Sequence, residues 1–424
     1  MAKVSFFTVG CKLNQYETEL IARRLKQCGF ERVDWAEDAD LYIVNSCNVT
    51  HKAAADSRRK LFGVKKKHPR SKAVAIGCYA QLKKEDLSGL EEIDLVLGND
   101  EKDQVLARLN HLFPEISADM PSLEDSVLDG MSNRSRALVK VQDGCNQNCS
   151  YCIIPKARGH EISRPIEKIL EEVRALKNNG YREVILTGVH VGRYRENGTA
   201  LGGLVRRIIT DTEIDRIRLS SLEVNEIESD LIQTVEQSGR VCRHFHIPLQ
   251  SGSDRILRSM NRPYSTKKYR DIIDQIKSRI PGVMIGADLI VGFPGEGDRE
   301  FAESLEFVEN SPIDYLHVFS YSDHPEARSF SFDGKLDPPE IKTRNRIVTD
   351  LGDLKWKSFI HSQLDSELEV LFEKRYFHKN GAVSGLSDNY IRIESTAGPE
   401  FCNQICRVRP EAVCGRKLIG KIIS

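Results

Sequence analysis

QDGCNQNCSYCIIPKARG, residues 142–159, places Cys145, Cys149 and Cys152 in a C-x3-C-x2-C run. A closed structural zinc site takes four ligands, and a simple electron-transfer iron–sulfur cluster is ordinarily held by four cysteines. This loop offers three. Either a fourth ligand such as His160 completes a zinc site, or the metal keeps one position open. Three thiolates on one short loop can wrap a 4Fe–4S cube and leave one iron free for a small chelating molecule, as catalytic metal sites do. A strand-like run, RALVKVQ (136–142), leads straight into the loop, and Tyr151 stands just before the last cysteine.

Downstream, helix and strand patterns alternate. IEKILEEVRALKNNG (166–180) precedes REVILTGV (182–189), GGLVRRIITD (202–211) precedes RIRLSSLE (216–223), and the alternation continues to YLHVFSYS (315–322). Six such units predict an open or partial (β/α)6 barrel, in which active sites lie at the carboxyl ends of the strands. The cysteine loop follows the first strand and is therefore placed for chemistry.

Residues 1–115 show the same alternation on a smaller scale. KVSFFTVG (3–10), DLYIVNS (40–46) and KAVAIG (72–77) are apolar, strand-like runs separated by helical patterns, which predicts a parallel α/β sheet. Each run ends at a cysteine: Cys11, Cys47 and Cys78. Ligands of open α/β sheets sit beyond the carboxyl ends of the strands, so the fold assembles a second trio at one sheet edge. After an acidic, aperiodic stretch (116–134) and the barrel (135–360), the texture changes. From 365 to 424, short alternating segments separated by Gly, Asn and Asp predict a small all-β barrel.

The bulk numbers fit these readings. A chain of 424 residues suggests two to four domains. Lys+Arg and Asp+Glu are both 62, so no global charge draws the chain to a polyanion, and any such partner must be held by local patches. The apolar runs are too short to span a membrane, and the N-terminus has too short an apolar core for a secretion signal, which places the protein in the cytoplasm. Eleven cysteines in a cytoplasmic chain point to metal or catalysis rather than to disulfides. Cys28, Cys242 and Cys406 read as packing residues; Cys406 shares a strand face with Val408 while Arg407 and Arg409 alternate with them.

These stretches together resemble a known family. C-x3-C-x2-C after the first strand of a partial barrel is similar to the signature of radical S-adenosylmethionine enzymes. The upstream trio resembles the second cluster site of the methylthiotransferases among them, and the C-terminal barrel resembles the RNA-binding TRAM domain that closes those proteins. The resemblance spans essentially the whole chain. It implies two 4Fe–4S clusters, one on Cys145, Cys149 and Cys152 and one on Cys11, Cys47 and Cys78. It also implies S-adenosylmethionine as the chelate on the open iron, tRNA as partner, and a one-electron reductant such as flavodoxin or ferredoxin. TVGCKLNQYETE (8–19), VNSCNVTHKAAADSRR (44–59), AIGCYAQ (75–81) and VLGNDEK (96–102) resemble the branch acting on threonylcarbamoyladenosine beside the anticodon. The GCQMN of the isopentenyladenosine branch and the GCPKN of the branch modifying a ribosomal-protein aspartate are both absent at Cys11. A sister substrate, or a non-catalytic iron–sulfur RNA-binding protein, are the alternatives.

The same resemblance marks further residues. LTGVHVG (186–192), with Gly188, is similar to the stretch approaching the methionine amino group. Gln250 and Ser251 of HIPLQSGSDRIL (246–257), and Gly292 and Pro294 of ADLIVGFPGE (287–296), resemble cofactor-contacting segments. Two stretches depart from the pattern: Ile162 stands where a basic residue is expected, and residues 321–330 lack the usual Arg and Gly-Thr. For RNA, the basic run 56–72 offers phosphate contacts or merely a solvated helix face. The C-terminal barrel offers Arg392, Arg407, Arg409 and Lys417, with Lys374, Arg375, Lys379, Arg416 and Lys421. Tyr376, Phe377 and Tyr390 stand among them as stacking candidates.

Overall fold

The computed structural model describes residues 1–114, 116, 123, 126–131, 134–377 and 381–423. Lys379 lies outside them, as do the side chains of Arg375, Tyr376 and Phe377 and much of the stretch 116–134. The chain forms two compact units. One joins Met1–Asp129 to Asp143–Asn148 and Cys152–Ile162; the other holds Gly130–Gln142, Cys149–Tyr151 and Ser163–Ser424.

The first unit is a five-stranded parallel sheet in the order β2-β1-β3-β4-β5. Its strands are β1 (Lys3–Thr8), β2 (Glu31–Val33), β3 (Leu41–Ser46), β4 (Lys72–Gly77) and β5 (Leu95–Leu97). Every residue of β3 is buried, as a central strand covered on both faces requires. Helix α1 (Lys12–Gln27) crosses from β1 and buries Leu20, Ile21 and Leu25. Helix α2 (His51–Lys67) crosses from β3 and is capped by Thr50, whose hydroxyl accepts the Ala53 N–H at 3.2 Å. The short helices α3 (Cys78–Leu82), α4 (Lys84–Ser88), α5 (Val105–Leu109) and α6 (Ile154–Arg158) complete the unit. The last follows Cys152 and packs on α3.

The second unit holds the six predicted barrel strands: β6 (Arg136–Lys140), β9 (Glu183–Thr187), β12 (Arg216–Leu219), β13 (His244–His246), β14 (Met284–Val291) and β15 (Tyr315–Ser320). They form two three-stranded parallel sheets, β12-β9-β6 and β13-β14-β15. A parallel bridge between Ile217 and Val241 joins the halves, and the Leu222 N–H donates to the His246 carbonyl at 2.9 Å. Helices α7 (Ile166–Asn178), α8 (Leu201–Asp211), α9 (Ser229–Gln237), α10 (Asp254–Ser259), α11 (Thr266–Arg279) and α12 (Asp298–Asn310) connect the strands. Two minor strands of this unit are β10 (Arg195–Glu196) and β11 (Thr199–Ala200), while β7 (Gln142–Asp143) and β8 (Ile162–Ser163) each have one residue in either unit. Helix α13 (Pro338–His361) was not apparent in the sequence, because its apolar residues follow no sustained stripe. It is stabilised instead by packing: Trp356, Phe359 and Ile360 bury into the next layer.

That layer is a closed barrel, β16-β17-β18-β20-β19, from β16 (Leu368–Phe377), β17 (Val383–Ser387), β18 (Arg392–Ser395), β19 (Ile405–Cys414) and β20 (Lys417–Ile422). Its core takes Val370, Phe372, Ile393, Val408 and Leu418, and Cys406 joins them. The closed barrel is locked to the β12-β9-β6 sheet by a buried polar network. Glu183 on β9 accepts from Arg216 Nε at 2.6 Å and Arg218 Nε at 2.8 Å. The same guanidiniums donate to the carbonyls of Leu386, Ser387 and Asp388. Tyr390 stacks on His244 with centroids 4.4 Å apart.

Candidate functional site

Strands β1, β3 and β4 are neighbours, and Cys11, Cys47 and Cys78 follow their carboxyl ends. The trio predicted from three separate stretches therefore meets at one edge. Gly10 allows the approach: its φ is +104°, and a Cβ there would stand 2.9 Å from Cys47 Cβ. Burial pushes the Cys47 thiol up to about 11; Cys78 and Cys11 beside it push the same way, against the Val49 amide and Arg158. Asn99 Nδ2 donates to Cys78 Sγ at 3.5 Å and to the Ala157 carbonyl at 2.6 Å, which ties α6 to this edge. Two cations are buried close by. Arg158 donates to Glu17 Oε1 at 3.1 Å, Asp143 Oδ1 at 2.9 Å and Asn14 Oδ1 at 2.6 Å. Lys102 donates to Glu17 Oε2 at 2.5 Å. This donor set fits a 4Fe–4S cluster held by three thiolates: all sulfur, gathered from three strands, with positive charge at hand for an anionic group.

Each sulfur of the C-x3-C-x2-C loop has a hydrogen-bond donor. The Gln147 N–H donates to Cys145 Sγ and the Ile154 N–H to Cys152 Sγ, both at 3.4 Å. Arg262, buried in the second unit, donates to Cys149 Sγ at 3.2 Å and also pairs with Glu223. Such hydrogen bonds stabilise thiolate sulfur and tune a bound cluster, so this trio fits a 4Fe–4S group as well. Gly144 shapes the loop: its φ is +70°, and a Cβ there would overlap the His160 carbonyl. His160 itself pairs with Asn146 Oδ1 at 3.1 Å through Nδ1.

The other marked residues lie at strand ends in the second unit. Gly188 follows β9 with no room for a side chain, because a Cβ would stand 2.7 Å from the Gln142 carbonyl. Gln250, at φ +64°, bridges to β14 through Asp288 and Ile290. Ser251 is buried with its hydroxyl 3.4 Å from Ser304 Oγ. Gly292 donates its N–H to Glu296 at 2.9 Å, and its missing side chain makes room for Ile341 of α13; Pro294 is buried beside it. Ile162 is two-thirds exposed at 66%.

Among the RNA candidates, Arg392 pairs with Glu373, Arg409 with Glu367, and Lys417 with Glu394. Arg407 is exposed and no ion pair holds it among the described residues. In the first unit, Arg59, Lys60 and Lys67 of the basic run line a cavity of about 630 Å³ with Trp35, Tyr42 and His68. Arg158, Lys102, Asn99, Arg262 and the His246–Asp288–His317 cluster escaped sequence reasoning. Only position relative to a cysteine could have flagged the first few, and nothing local could have joined the last three. Among the described residues no helix is long and apolar enough to cross a membrane.

Residues 139–308 match the Radical SAM superfamily and residues 3–98 match the family described as Uncharacterized protein family UPF0004. The chain is 36% identical over 407 residues to the Threonylcarbamoyladenosine tRNA methylthiotransferase MtaB of Aquifex aeolicus, covering 92% of this chain and 96% of that one. It is 32% identical to the protein of the same name from Bacillus subtilis, covering 96% and 94%. A tRNA-2-methylthio-N(6)-dimethylallyladenosine synthase from Maricaulis maris is also 32% identical, covering 98% and 96%. In fold, the chain resembles the radical S-adenosylmethionine methyltransferase TsrM from Kitasatospora setae, with a TM-score of 0.59 at 13% identity over 78% of this chain and 77% of that one. With two cysteine trios at strand ends and full-length relatives on both sides of the substrate divide, the chain belongs to the radical S-adenosylmethionine methylthiotransferase family.

Proposed function

We infer that this protein is a tRNA methylthiotransferase that adds a methylthio group to carbon 2 of threonylcarbamoyladenosine next to the anticodon. The observation that carries the reading is the pairing of two three-cysteine sites, one gathered by the parallel sheet and one on the loop after the first barrel strand. The near-full-length likeness to the Aquifex and Bacillus proteins supports the substrate.

In this reading Cys145, Cys149 and Cys152 hold one 4Fe–4S cluster and Cys11, Cys47 and Cys78 a second. Gly188, Gln250, Ser251, Gly292 and Pro294 border S-adenosylmethionine. When bound, the clusters and S-adenosylmethionine supply a carbon radical and the sulfur, chemistry that acid–base catalysis cannot perform on an aromatic C–H bond. The chain's own residues ligate, orient and exclude water. Arg158 and Lys102 offset charge at the second trio, and Arg262 orients Cys149. A flavodoxin or ferredoxin supplies electrons, and the reaction takes place in the cytoplasm. The division of labour follows the expected domains: 1–115 for the second cluster, 135–360 for the radical chemistry, and a TRAM-like 365–424 for tRNA. Arg407, with Arg392, Arg409 and Lys417, and the cations around Trp35 contribute phosphate contacts.

The test is an anaerobic assay of reconstituted protein with S-adenosylmethionine, a reductant and tRNA carrying threonylcarbamoyladenosine, with the digested nucleosides weighed. A gain of one methylthio group with release of 5′-deoxyadenosine supports the reading. Conversion only of isopentenyladenosine tRNA moves the chain to the branch of the Maricaulis protein. Absence of 5′-deoxyadenosine from fully iron-loaded protein rejects the enzyme and leaves a binding protein.

A further inference from the structure

Three strands of the second unit bring together a polar cluster that the cysteine chemistry does not use. His246 ends β13, Asp288 lies midway along β14, and His317 is its register partner on β15. One ligand atom from each of the three lies within 4.8 Å of the others. His246 Nε2 stands 3.1 Å from Asp288 Oδ1, while its Nδ1 shares a hydrogen bond with Ser221 Oγ at 2.8 Å. His317 Nδ1 lies 3.4 Å from the Tyr315 hydroxyl. Hydroxyls thus hold both rings.

The cluster lies on the face of β15 opposite Leu316. Leu316, next to His317, turns toward α13, where it packs on Gly352. Strand alternation sends His317 and Phe319 to the opposite face. That face is open: Phe319 is 46% exposed and His317 is exposed, although the alternate residues Ala287, Leu289 and Leu316 are buried. The Phe319 ring lies 6.4 Å from His317, centroid to centroid. A purely structural network of two imidazoles and a carboxylate would be closed over, as the Glu183 network is. An open one beside an exposed aromatic ring has the composition of a site for a flat, hydrogen-bonding ring system.

We propose that His246, Asp288 and His317, with Phe319, form the subsite that grips the purine of the substrate nucleotide and its urea-type N6 substituent. The Asp288 carboxylate accepts N–H groups of the base and substituent. His246, held between Ser221 and Asp288, fixes the carboxylate; the His317 imidazole donates toward the substituent's oxygens, and Phe319 offers an apolar face to the ring. The inference rests on the reading of the substrate as an N6-modified adenosine.

The experiment uses the full chain with both clusters reconstituted, as wild type and as Asp288→Asn, His317→Phe, His317→Gln and Phe319→Ala. For tRNA carrying threonylcarbamoyladenosine, two quantities are measured: KM for the tRNA, and 5′-deoxyadenosine released per methylthio group formed. Asp288→Asn and His317→Phe should raise KM roughly tenfold, the effect of one lost polar contact. They should also raise the deoxyadenosine-to-product ratio, because a loosely held base misses the radical. Iron content and melting temperature should stay at wild-type values, and His317→Gln should recover part of the loss. Unchanged KM and ratio in both Asp288→Asn and His317→Phe overturn the proposal. So does a stoichiometric non-iron metal in wild type that Asp288→Asn removes, since the same three groups could hold a divalent ion. If wild type converts only isopentenyladenosine tRNA, the substrate reading falls, and the same KM and ratio on that tRNA decide the subsite.

Discussion

Arg158 donates to Glu17 at 3.1 Å, joining the helix after Cys152 to the helix after Cys11. Both side chains are buried, and Lys102 shares the same carboxylate. Burial works against the Arg158 charge, but Glu17 and Asp143 more than compensate and hold it well above its ordinary range. Arg158→Ala leaves Glu17 and Asp143 short of their cation, and breaking a buried pair costs about 3–5 kcal/mol. The expected result is a lower melting temperature and iron that is lost on desalting. A variant with wild-type melting and iron would show that the pair is dispensable.

The two trios should separate in an iron count. With both clusters loaded, about eight irons per chain are expected, and Cys47→Ala should leave about four. That variant should still release 5′-deoxyadenosine while forming no methylthio product. Cys145→Ala should lose both. Retained deoxyadenosine release in Cys145→Ala would detach the loop from the radical step.

Arg262 puts a positive charge on Cys149 Sγ at 3.2 Å. Hydrogen bonds and positive charge favour the reduced form of a cluster. Arg262→Met should therefore shift the midpoint potential to more negative values and slow deoxyadenosine release with the same reductant. A redox titration followed by electron paramagnetic resonance reads the shift; an unchanged potential would reduce Arg262 to a partner of Glu223.

Arg407 projects from β19 between the buried Cys406 and Val408. As a phosphate contact its removal should weaken tRNA binding a few-fold without regard to sequence and lower the salt slope by about one. Arg409→Ala, already paired with Glu367, should do less. Equal affinities and slopes for wild type and Arg407→Ala in a fluorescence anisotropy titration would remove this residue from the RNA surface.

The sequence was legible where chemistry and periodicity coincide on short stretches. Six βα units, the strand-terminal positions of Cys11, Cys47 and Cys78, and the core role of Cys406 all follow from local alternation. What stayed hidden is long-range. Glu17 and Arg158 are 141 positions apart, and Arg218 reaches carbonyls 169 and 170 positions away. No pattern within either stretch names the other. Helix α13 was missed for a related reason: its stability comes from Trp356 and Phe359 in a neighbouring barrel, while its own apolar spacing is diffuse. His246, Asp288 and His317 look like ordinary strand residues until three strands set them side by side.

Glu183 gives the acid response of the joint between the β12-β9-β6 sheet and the closed barrel. Burial pushes its carboxyl up, but Arg216, Arg218 and Arg136 outweigh that and hold it at about 2, below the usual 4.5. A depressed carboxylate contributes stability that is fully present above the unfolded value and lost as pH falls through the folded one. The window therefore runs from about 4.5 down to about 2. The shift corresponds to roughly 3 kcal/mol at neutral pH. Glu183→Gln should lower the melting temperature at pH 7, because it leaves three guanidiniums facing a neutral amide. The gap between wild type and Glu183→Gln should narrow steadily below pH 4.5, as the wild type itself loses the charge. A gap that holds constant from pH 7 to pH 3 would mean that packing, and not the carboxylate charge, joins the closed barrel to the strands.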